Sequence, residues 1–380
     1  MEIPSGWAMN RLETLANVQR GKFSARPRND PQFYGGKIPF VQTGDVTKSG
    51  KHLKAYSQTL NEKGLAVSRL FPAGTILMTI AANIGDSTIT GYDVAFPDSV
   101  VGINCLEGVE PDWLYYTLQP KKHYLDRLST QNAQKNINLE VLRPLKILSP
   151  PLPEQRRIAE ILGTWDRAIA ATEALIVKSE AQKKALMQQL LTAKRRLPGF
   201  DGPWKEVRLT DIAEVTTGAS NREDSELVGE FVFFDRSTDV RRSSRYLFDT
   251  EAVIVGGEGQ EFVPKYFEGK FDLHQRAYAI HTSKQFSIRY LYYIIHYKRH
   301  LLRRFAVGST VASLRMGTFT KIPVPKISFA EQKAVTKILD NSSEQIQALQ
   351  TKLQTLKTEK AALMQQLLTG KRRVKLTEVA

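Results

Sequence analysis

One twelve-residue segment occurs twice in this chain of 380 residues, and the repeat limits the possible folds more than any other feature. The first copy, "ALMQQLLTAKRR", spans residues 185–196, and the second, "ALMQQLLTGKRR", spans residues 362–373. Eleven of the twelve positions are identical, at an offset of 177 residues. With this offset and without a gap, the match extends over residues 113–196 and 290–373. Any fold of this chain therefore has to accommodate two copies of one structural unit.

A second, weaker match lies upstream at a different offset. "GWAMNRLETLANVQRGK", which begins at Gly6, matches the pattern of "PWKEVRLTDIAEVTTGA", which begins at Pro203, and Trp7 aligns with Trp204 at an offset of 197. Because the offset falls from 197 to 177, the first copy contains 20 additional residues between the two matches. The sequence thus predicts a tandem duplication in which each copy has constant ends and a middle of variable length.

Apolar residues spaced alternately by four and three positions follow each of the two Glu-Gln pairs, at residues 154–155 and 331–332, and they predict two long helices. Each helix, of about 43 residues, would be roughly 65 Å long. We expect "LPGF" to end the first helix and Gly370 to end the second, with the basic triplet of each repeat complementing the C-terminal dipole. The predicted apolar stripe consists of Ile158, Leu162, Trp165, Ile169, Ile176, Leu186 and Leu190 in the first helix, and of Val335, Leu339, Ile346, Leu349, Leu353, Leu356, Leu363 and Leu367 in the second.

A helix of this length with a single apolar stripe needs a partner to be stable. An antiparallel pairing of the two repeated helices uses the repeat most simply, while a parallel pair and a homodimeric coiled coil remain open alternatives. The predicted fold class is α+β, with two mixed α/β domains separated by two long helices that pair as an antiparallel coiled coil in a pseudo-twofold tandem repeat. The predicted segments are a first globular domain at residues 1–150, a first helical spacer at 151–196, a second globular domain at 197–330 and a second helical spacer at 331–380.

The globular segments combine strand and helix patterns. Short β-rich runs bounded by Gly, Pro or Asp predict strands at residues 37–46, 73–80, 230–235 and 251–257. "PDWLYYTLQPKKHYLDRL" and "IRYLYYIIHYKRHLLRRF" predict helices whose aromatic stripes belong to the core.

Composition and charge narrow the class of protein. Hydrophobic residues make up 42% of the chain, which favours folded domains, and the net charge of +15 is spread along the sequence. A polyanion that contacts several domains would suit this distribution, although a basic soluble protein would show it too. The N-terminus has no apolar signal region, and no apolar run approaches the 18 residues that a membrane span needs. The lone Cys105 is predicted to be a buried thiol in a strand. We therefore expect a cytoplasmic protein without a membrane segment.

Motifs that an independent enzyme would need are missing. "GGEGQEF" lacks the third glycine of a dinucleotide-binding loop. "GDVTKSGK" has five residues between its glycines, and His52 stands where a phosphate loop carries Ser or Thr. The six histidines have no zinc-ligand spacing. The sequence predicts a chain that is not an enzyme by itself and binds no metal or cofactor.

Basic and polar clusters occur in both predicted globular domains, and their side chains suit duplex DNA. Arg can read guanine and Asn or Gln can read adenine in the major groove, while Lys mostly contacts phosphates. A solvated loop would explain any one cluster, but clusters in both copies of one scaffold favour DNA binding. The candidates are Lys22, Arg26, Arg28, Gln42, Thr43, Lys48, Lys51, Asn132, Gln134 and Lys135 in the first domain, and Arg236, Arg241, Arg242, Arg245, Gln260, Ser309, Thr310 and Arg315 in the second.

Several features of the chain together resemble one protein family. They are the half-repeats, "PPLPEQRRIAEIL" ahead of a long helix, "LMQQLLT" with basic residues at the end of that helix, and the segments "IPFVQTGDV" and "GTILMTIAANIG". The whole chain resembles the specificity subunit of type I restriction-modification enzymes. One departure is that the second copy has "ISFAEQ" where the first has "PPLPEQ". The resemblance implies two target-recognition domains held apart by an antiparallel pair of helices, each domain reading one half of a bipartite DNA site.

The resemblance also implies partners. Two methyltransferase subunits would dock on the helices and supply S-adenosylmethionine and adenine-N6 chemistry, and two restriction subunits would add translocation and cleavage that depend on ATP and Mg. Candidates for the docking contact are the exposed-face glutamines Gln188, Gln189, Gln365 and Gln366. The alternatives are the recognition subunit of a related DNA-modification or phage-defence system, a free-standing enzyme with unrecognised motifs, and a coiled-coil scaffold without DNA specificity.

Overall fold

The structure is a computed structural model that describes residues 3–129, 136–192, 194–237, 239–282, 286–308 and 310–376. The chain divides into two compact units. Unit 1 comprises Met1–Ala171 with Leu353–Ala380, and unit 2 comprises Thr172–Lys352. Each globular segment is thereby grouped with two half-helices, whereas the sequence predicted separate globular and helical segments.

Unit 1 and the first long helix contain ten strands and seven α-helices within the described residues. In chain order these are β1 (Ala8–Arg11), α1 (Leu12–Leu15), β2 (Ala16–Arg20), β3 (Tyr34–Phe40), α2 (Thr43–Lys48), β4 (Gln58–Leu60), α3 (Glu62–Ala66), β5 (Leu70–Phe71), β6 (Ile76–Thr79), β7 (Ser87–Ile89), β8 (Val94–Ala95), β9 (Val100–Cys105), α4 (Pro111–Leu118), α5 (Lys122–Ser129), α6 (Leu139–Leu142), β10 (Lys146–Ser149) and α7 (Leu152–Leu190). The strands form two four-stranded sheets, with orders β2-β9-β6-β7 and β4-β3-β8-β5, and the ladder β1-β10.

Unit 2 repeats this plan with a larger single sheet. Its elements are β11 (Lys205–Arg208), β12 (Glu214–Thr217), β13 (Phe231–Phe234), β14 (Val240–Ser243), β15 (Phe248–Gly256), β16 (Lys265–Leu273), β17 (Ala277–His281), α8 (Ile288–Tyr297), α9 (Arg299–Phe305), α10 (Met316–Phe319), β18 (Pro323–Lys326) and α11 (Phe329–Leu367). Six strands form one sheet in the order β12-β17-β15-β16-β13-β14, and β11 pairs with β18.

The strand registers confirm the predicted tandem duplication. Ile76 lies opposite Ile103 in the pair β6-β9, and Val253 lies opposite Ile280 in the pair β15-β17, so both members are displaced by 177 residues. The outer partners β2 and β12 align with an offset of 197 instead. The additional residues of the first copy therefore lie between β2 and β6, the stretch that contributes β3, β4 and β5 to a second sheet in unit 1.

The long helices run antiparallel in each unit. In unit 1, Asp166 of α7 accepts a hydrogen bond from Lys360 of α11 at 2.5 Å, and Glu154, earlier on α7, binds Arg373, later in the chain. Ile158 of α7 also shares a core with Leu367. Residue numbers thus rise on one helix where they fall on the other.

Unit 2 shows the same arrangement with the roles of the helices exchanged. Leu190 at the end of α7 packs in one core with Val335 and Leu339 near the start of α11. Arg196, which follows α7, binds Glu331 in the first turn of α11. An intramolecular antiparallel pair is therefore confirmed, and a parallel pair is excluded.

The predicted apolar stripe lies on the inward side of both helices. Met187, Leu191 and Leu368 are buried as well, although the strict four-then-three spacing omits them, because an α-helix has 3.6 residues per turn and its inward face drifts from a 3.5-residue repeat. Of the predicted positions, Ile158, Leu162, Leu190, Val335, Leu339, Ile346 and Leu367 are buried, and Trp165, Ile169, Ile176, Leu186, Leu349, Leu353, Leu356 and Leu363 are half-buried.

Two details differ from the sequence predictions. The long helices have 39 residues each and end at Leu190 and Leu367, before the basic triplets, so these triplets lie beyond the helical dipoles that they were expected to complement. The strand prediction for residues 37–46 is wrong beyond Phe40, where two residues without regular secondary structure lead into α2. The cause is Asp45, whose carboxylate accepts the backbone N–H of Gln42 at 2.9 Å and stabilises the first turn of α2.

Candidate nucleic-acid interface

A loop after a central strand is held against a later segment at the same position in both copies. In unit 2, Leu314 donates its backbone N–H to the carbonyl of Gly257 at 2.7 Å. In unit 1, Ile137 donates to Ile80 at 2.9 Å, and both residues are displaced by 177 from their counterparts. We call each arrangement a loop pair: residues 257–264 with 306–308 and 310–315 in unit 2, and residues 80–86 with 136–138 in unit 1. The duplicated fold therefore presents two equivalent loop pairs.

Three charged side chains meet at the loop pair of unit 2. Arg236 follows β13, Glu258 follows β15 and Arg276 precedes β17. Arg276 donates to one carboxylate oxygen of Glu258 at 2.6 Å, and Arg236 donates to the other. The Glu258 side chain is 15% exposed, whereas those of Arg236 and Arg276 are 46% and 60% exposed. We call these three residues the arginine fork.

The carboxylate of the fork is charged at neutral pH. Burial raises the pKa of Glu258, but the hydrogen bonds and charges of Arg236 and Arg276 outweigh burial and hold that pKa below its usual range. The fork thus carries one negative and two positive charges, and each guanidinium keeps N–H donors beyond the one given to Glu258.

Further predicted residues lie at the same loop pair. Gln260 and Thr310 are exposed, as is Arg315, which directly follows the hydrogen-bonded Leu314. Arg303, from α9, donates to the backbone carbonyl of Gly259 at 3.4 Å. Gln260, Thr310 and Arg315 therefore belong to this loop pair, and Arg236 is joined to it through Glu258, although these residues are far apart in the sequence.

The other predicted arginines of unit 2 lie elsewhere, on and after the edge strand β14. Arg245 donates to Ser220 at 2.9 Å and lies 3.6 Å from the carboxylate of Asp272, which is fully buried. Arg241 is half-buried, 3.7 Å from Asp235, while Arg242 is exposed. This cluster is a second basic surface, and part of its charge is committed to buried carboxylates.

The predicted residues of unit 1 fall into two groups. Lys22, Arg26 and Arg28 are exposed between β2 and β3, and Arg28 forms an ion pair with Asp98 at 2.9 Å. Gln42, Thr43 and Lys48 lie at α2, with Lys48 exposed. Asn83, in the loop after β6, donates to Thr47 of α2 at 3.3 Å, which places α2 beside the loop pair.

Lys51 has a different environment from the other candidates. Its side chain is 13% exposed, its ammonium lies 2.5 Å from Asp112, and it sits 5.0 Å from the ring centroid of the buried Tyr116. An ammonium in this position stabilises the junction of the globular part with α4, and we do not retain Lys51 as a DNA contact. Four more candidates, Asn132, Gln134, Lys135 and Ser309, lie outside the described residues.

Sequence reasoning missed Arg276 and the role of Glu258. A comparison of the two copies could have found them, because the offset of 177 places Ala81 opposite Glu258 and Ser99 opposite Arg276. Two small residues in one copy thus correspond to a charged pair in the other. Such a difference between equivalent loops indicates a property that belongs to one copy only.

The repeated helix ends have a structural role that the sequence did not reveal. Arg196 binds Glu331 with two hydrogen bonds, of 2.6 and 2.8 Å, and the Glu331 side chain is 2% exposed. Arg373 donates two hydrogen bonds to Oε1 of Glu154, at 2.9 and 2.5 Å, and the indole N–H of Trp7 donates to Oε2 at 2.6 Å. The last arginine of each "KRR" therefore binds the glutamate at the start of the other helix. The predicted docking residues Gln188, Gln189, Gln365 and Gln366 are all exposed.

The described part of the chain contains no cluster of three His, Cys, Asp or Glu side chains that could hold a metal ion. Among the described helices, none is long and apolar enough to cross a membrane.

Both halves of the chain match one protein family. Residues 4–180 and 202–358 each match the family described as type I restriction modification DNA specificity domain. The specificity subunit of the type I restriction enzyme MjaVIII from Methanocaldococcus jannaschii is 23% identical over 412 aligned positions, which cover 99% of this chain and 95% of that subunit. The EcoDI specificity subunit from Escherichia coli is 28% identical over 153 residues, or 40% of this chain and 34% of that subunit.

Solved structures share the fold over nearly the whole chain. The S subunit of a type I restriction-modification system from M. genitalium superposes with a TM-score of 0.66 at 15% identity and covers 99% of both chains. A chain from a structure of type I restriction-modification complex assembly and conformational transition superposes with a TM-score of 0.63 at 16% identity, covering 98% of this chain and all of that one.

Proposed function

Because the chain belongs to the type I restriction-modification DNA specificity family, we propose that it is the sequence-recognition subunit of such a complex. Each globular part reads one half of a bipartite DNA target. The helices dock two methyltransferase subunits and, through them, two restriction subunits. These partners carry S-adenosylmethionine, ATP and Mg, so this chain contributes recognition and no chemistry of its own. The matched relatives are specificity subunits, which agrees with the prediction of a non-catalytic chain.

The observation that supports this proposal best is that each unit has a loop pair at the equivalent position. A duplicated scaffold that presents one polar loop cluster in each copy suits a target made of two half-sites. The loop pair of unit 2 carries the exposed Gln260 and Arg315, and the exposed Arg236 and Arg276 lie beside it at Glu258. Arg and Gln are side chains that read base edges in the major groove.

The test is the pattern of adenine methylation across the host genome, with and without the gene. We expect one motif, made of two short half-sites and a fixed gap, to lose its methylation when the gene is deleted. Restoring the gene on a plasmid should restore methylation of the same motif. Unchanged methylation of every motif after deletion would contradict the proposal, provided that the wild-type strain expresses the chain and its neighbours.

Two alternatives predict different results. A coiled-coil scaffold without DNA specificity would not bind one bipartite duplex in preference to a scrambled duplex, and any binding would fall steeply with salt for both. A recognition subunit of a related defence system would purify with partners other than an adenine methyltransferase. Affinity purification of the tagged chain from its host, followed by identification of the associated subunits, separates these alternatives from the proposed complex.

A further inference from the structure

We infer that the arginine fork is a guanine-reading site: Arg236 and Arg276 each bind a guanine of the half-site read by unit 2, and Glu258 positions both side chains. This inference rests on the proposed function. The starting observation is geometric, because two exposed arginines from different loops share the carboxylate of Glu258 at the loop pair of unit 2.

The hydrogen bonds leave each guanidinium able to read a base. Arg276 donates one N–H to Glu258, whereas a guanidinium has five N–H donors in one plane. Guanine presents two acceptors, N7 and O6, on its major-groove edge, and two parallel N–H groups of arginine match them. Because the two arginine side chains are about half exposed, a base edge can approach them from solvent.

Glu258 makes this reading more selective. A free arginine side chain loses rotamer freedom when it binds, and one that is already held in place loses less. The backbone around Glu258 is itself fixed, since Glu258 forms a β-bridge with Ser313 and the adjacent Gly257 donates to the carbonyl of Arg276 at 2.8 Å. The nearby carboxylate also lowers the attraction of the two arginines for phosphate, which any sequence offers equally. The first effect strengthens any contact that the two arginines make, and the second favours a base contact over a backbone contact.

The fork belongs to one copy only. Ala81 and Ser99 occupy the equivalent positions in unit 1, where no carboxylate or guanidinium can form such a contact from these side chains. The inference therefore assigns the guanines to one half-site and leaves the other half-site unaffected by changes at the fork.

The experiment uses the chain in complex with its modification partner, purified from a strain that lacks the native gene. Three variants test the fork: Glu258→Gln, Arg236→Lys and Arg276→Lys. The lysine variants keep the positive charge but lose the planar pair of donors. Glu13→Gln is the control, because Glu13 forms an exposed ion pair with Arg11 and lies outside both the arginine fork and the long helices. The probes are duplexes that carry the motif recovered from the wild-type methylome and every single base-pair change within it.

We expect each lysine variant to lose discrimination at one G·C pair of one half-site, by on the order of tenfold to a hundredfold in relative methylation rate. Glu258→Gln should weaken discrimination at both of these pairs, while the other half-site and the control keep the wild-type pattern. A merely structural role for Glu258 would lower methylation of all duplexes together and would lower the melting temperature of the complex.

Two results would overturn the inference. If both lysine variants keep the wild-type base preference at every position, the arginines contact phosphate or nothing. If the motif contains no guanine in either half-site, or if both half-sites change together, the fork does not read guanine for one copy. If no motif depends on the gene at all, the proposed function fails before the fork is tested, so the two failures are distinguishable.

Discussion

At the scale of single residues, the most informative contacts are the two Glu–Arg pairs that join each helix start to the end of the other repeat. The sequence showed the Glu-Gln pairs and the basic triplets as separate motifs. It could not show that they bind each other, because the partners Glu154 and Arg373 are 219 residues apart and only the antiparallel packing brings them together. The glutamines have their own partners: Gln155 accepts the backbone N–H of Glu110 at 2.9 Å, and Gln332 accepts that of Ser287 at 2.8 Å.

These pairs predict that replacing Glu331 lowers the free energy of unfolding far more than replacing Glu160. Glu331→Ala would leave Arg196 without its bidentate partner in a site where the Glu331 side chain is only 2% exposed, so we expect the free energy of unfolding of this part of the chain to fall by about 3 kcal/mol. The control Glu160→Ala removes an exposed ion pair and should change it by less than about 1 kcal/mol. Urea unfolding followed by circular dichroism measures both. Equal effects of the two variants would show that the Glu331 pair does not hold the helix ends.

The single difference between the two twelve-residue repeats also has a residue-scale cause. Gly370 adopts a left-handed conformation with φ +69°, and a Cβ at this position would lie 2.4 Å from Cγ of Pro4. Glycine avoids both the backbone strain and the clash. The sequence indicated that a glycine ends this helix, but the approach of Pro4 depends on the tertiary fold.

At the scale of elements, the long helices were the most predictable part of the chain. Their apolar spacing identified the stripe because a helix that buries one face must repeat apolar residues at the period of its turns. Their ends were less predictable, since α7 and α11 stop at Leu190 and Leu367 and the triplets beyond them bind carboxylates in place of a dipole. The strand predicted at residues 37–46 ends early because the side chain of Asp45, near the end of that range, accepts the backbone N–H of Gln42 and stabilises the start of α2.

The antiparallel pairing predicts a specific cross-link. Asp166 and Lys360 are in direct contact, so the double variant Asp166→Cys, Lys360→Cys should be joined within one chain by a short bismaleimide. Background reaction should be small, because burial raises the pKa of the native Cys105 thiol to about 12. Mass spectrometry of tryptic peptides identifies the linked pair. The two single-cysteine variants are the controls. A product of twice the chain mass, increasing with protein concentration, would instead indicate a homodimeric coiled coil.

At the scale of the whole molecule, the duplication was evident in the sequence, whereas the candidate recognition surfaces were only partly so. Offsets of 177 and 197 located the repeat and its variable middle, and the strand registers keep both offsets. The DNA-binding candidates rest on composition, and the structure separates them: Arg236 lies at a loop pair, while Lys51 forms a part-buried ion pair with Asp112. Charge and exposure depend on neighbours distant in sequence, and so composition alone could not distinguish these cases.

If each copy reads its own half-site, then an exchange of residues 7–150 for the equivalent segment of another specificity subunit should alter one half-site alone. These limits keep β1 and β10 paired within the exchanged segment. The donor must carry Trp at the position of Trp7, because that side chain donates to Glu154 outside the exchanged segment. Adenine methylation is then mapped across the genome of the host. We expect a motif in which one half-site is new while the other half-site is that of the wild type. A motif in which both half-sites change, or in which neither changes although the exchanged complex still methylates DNA, would contradict it.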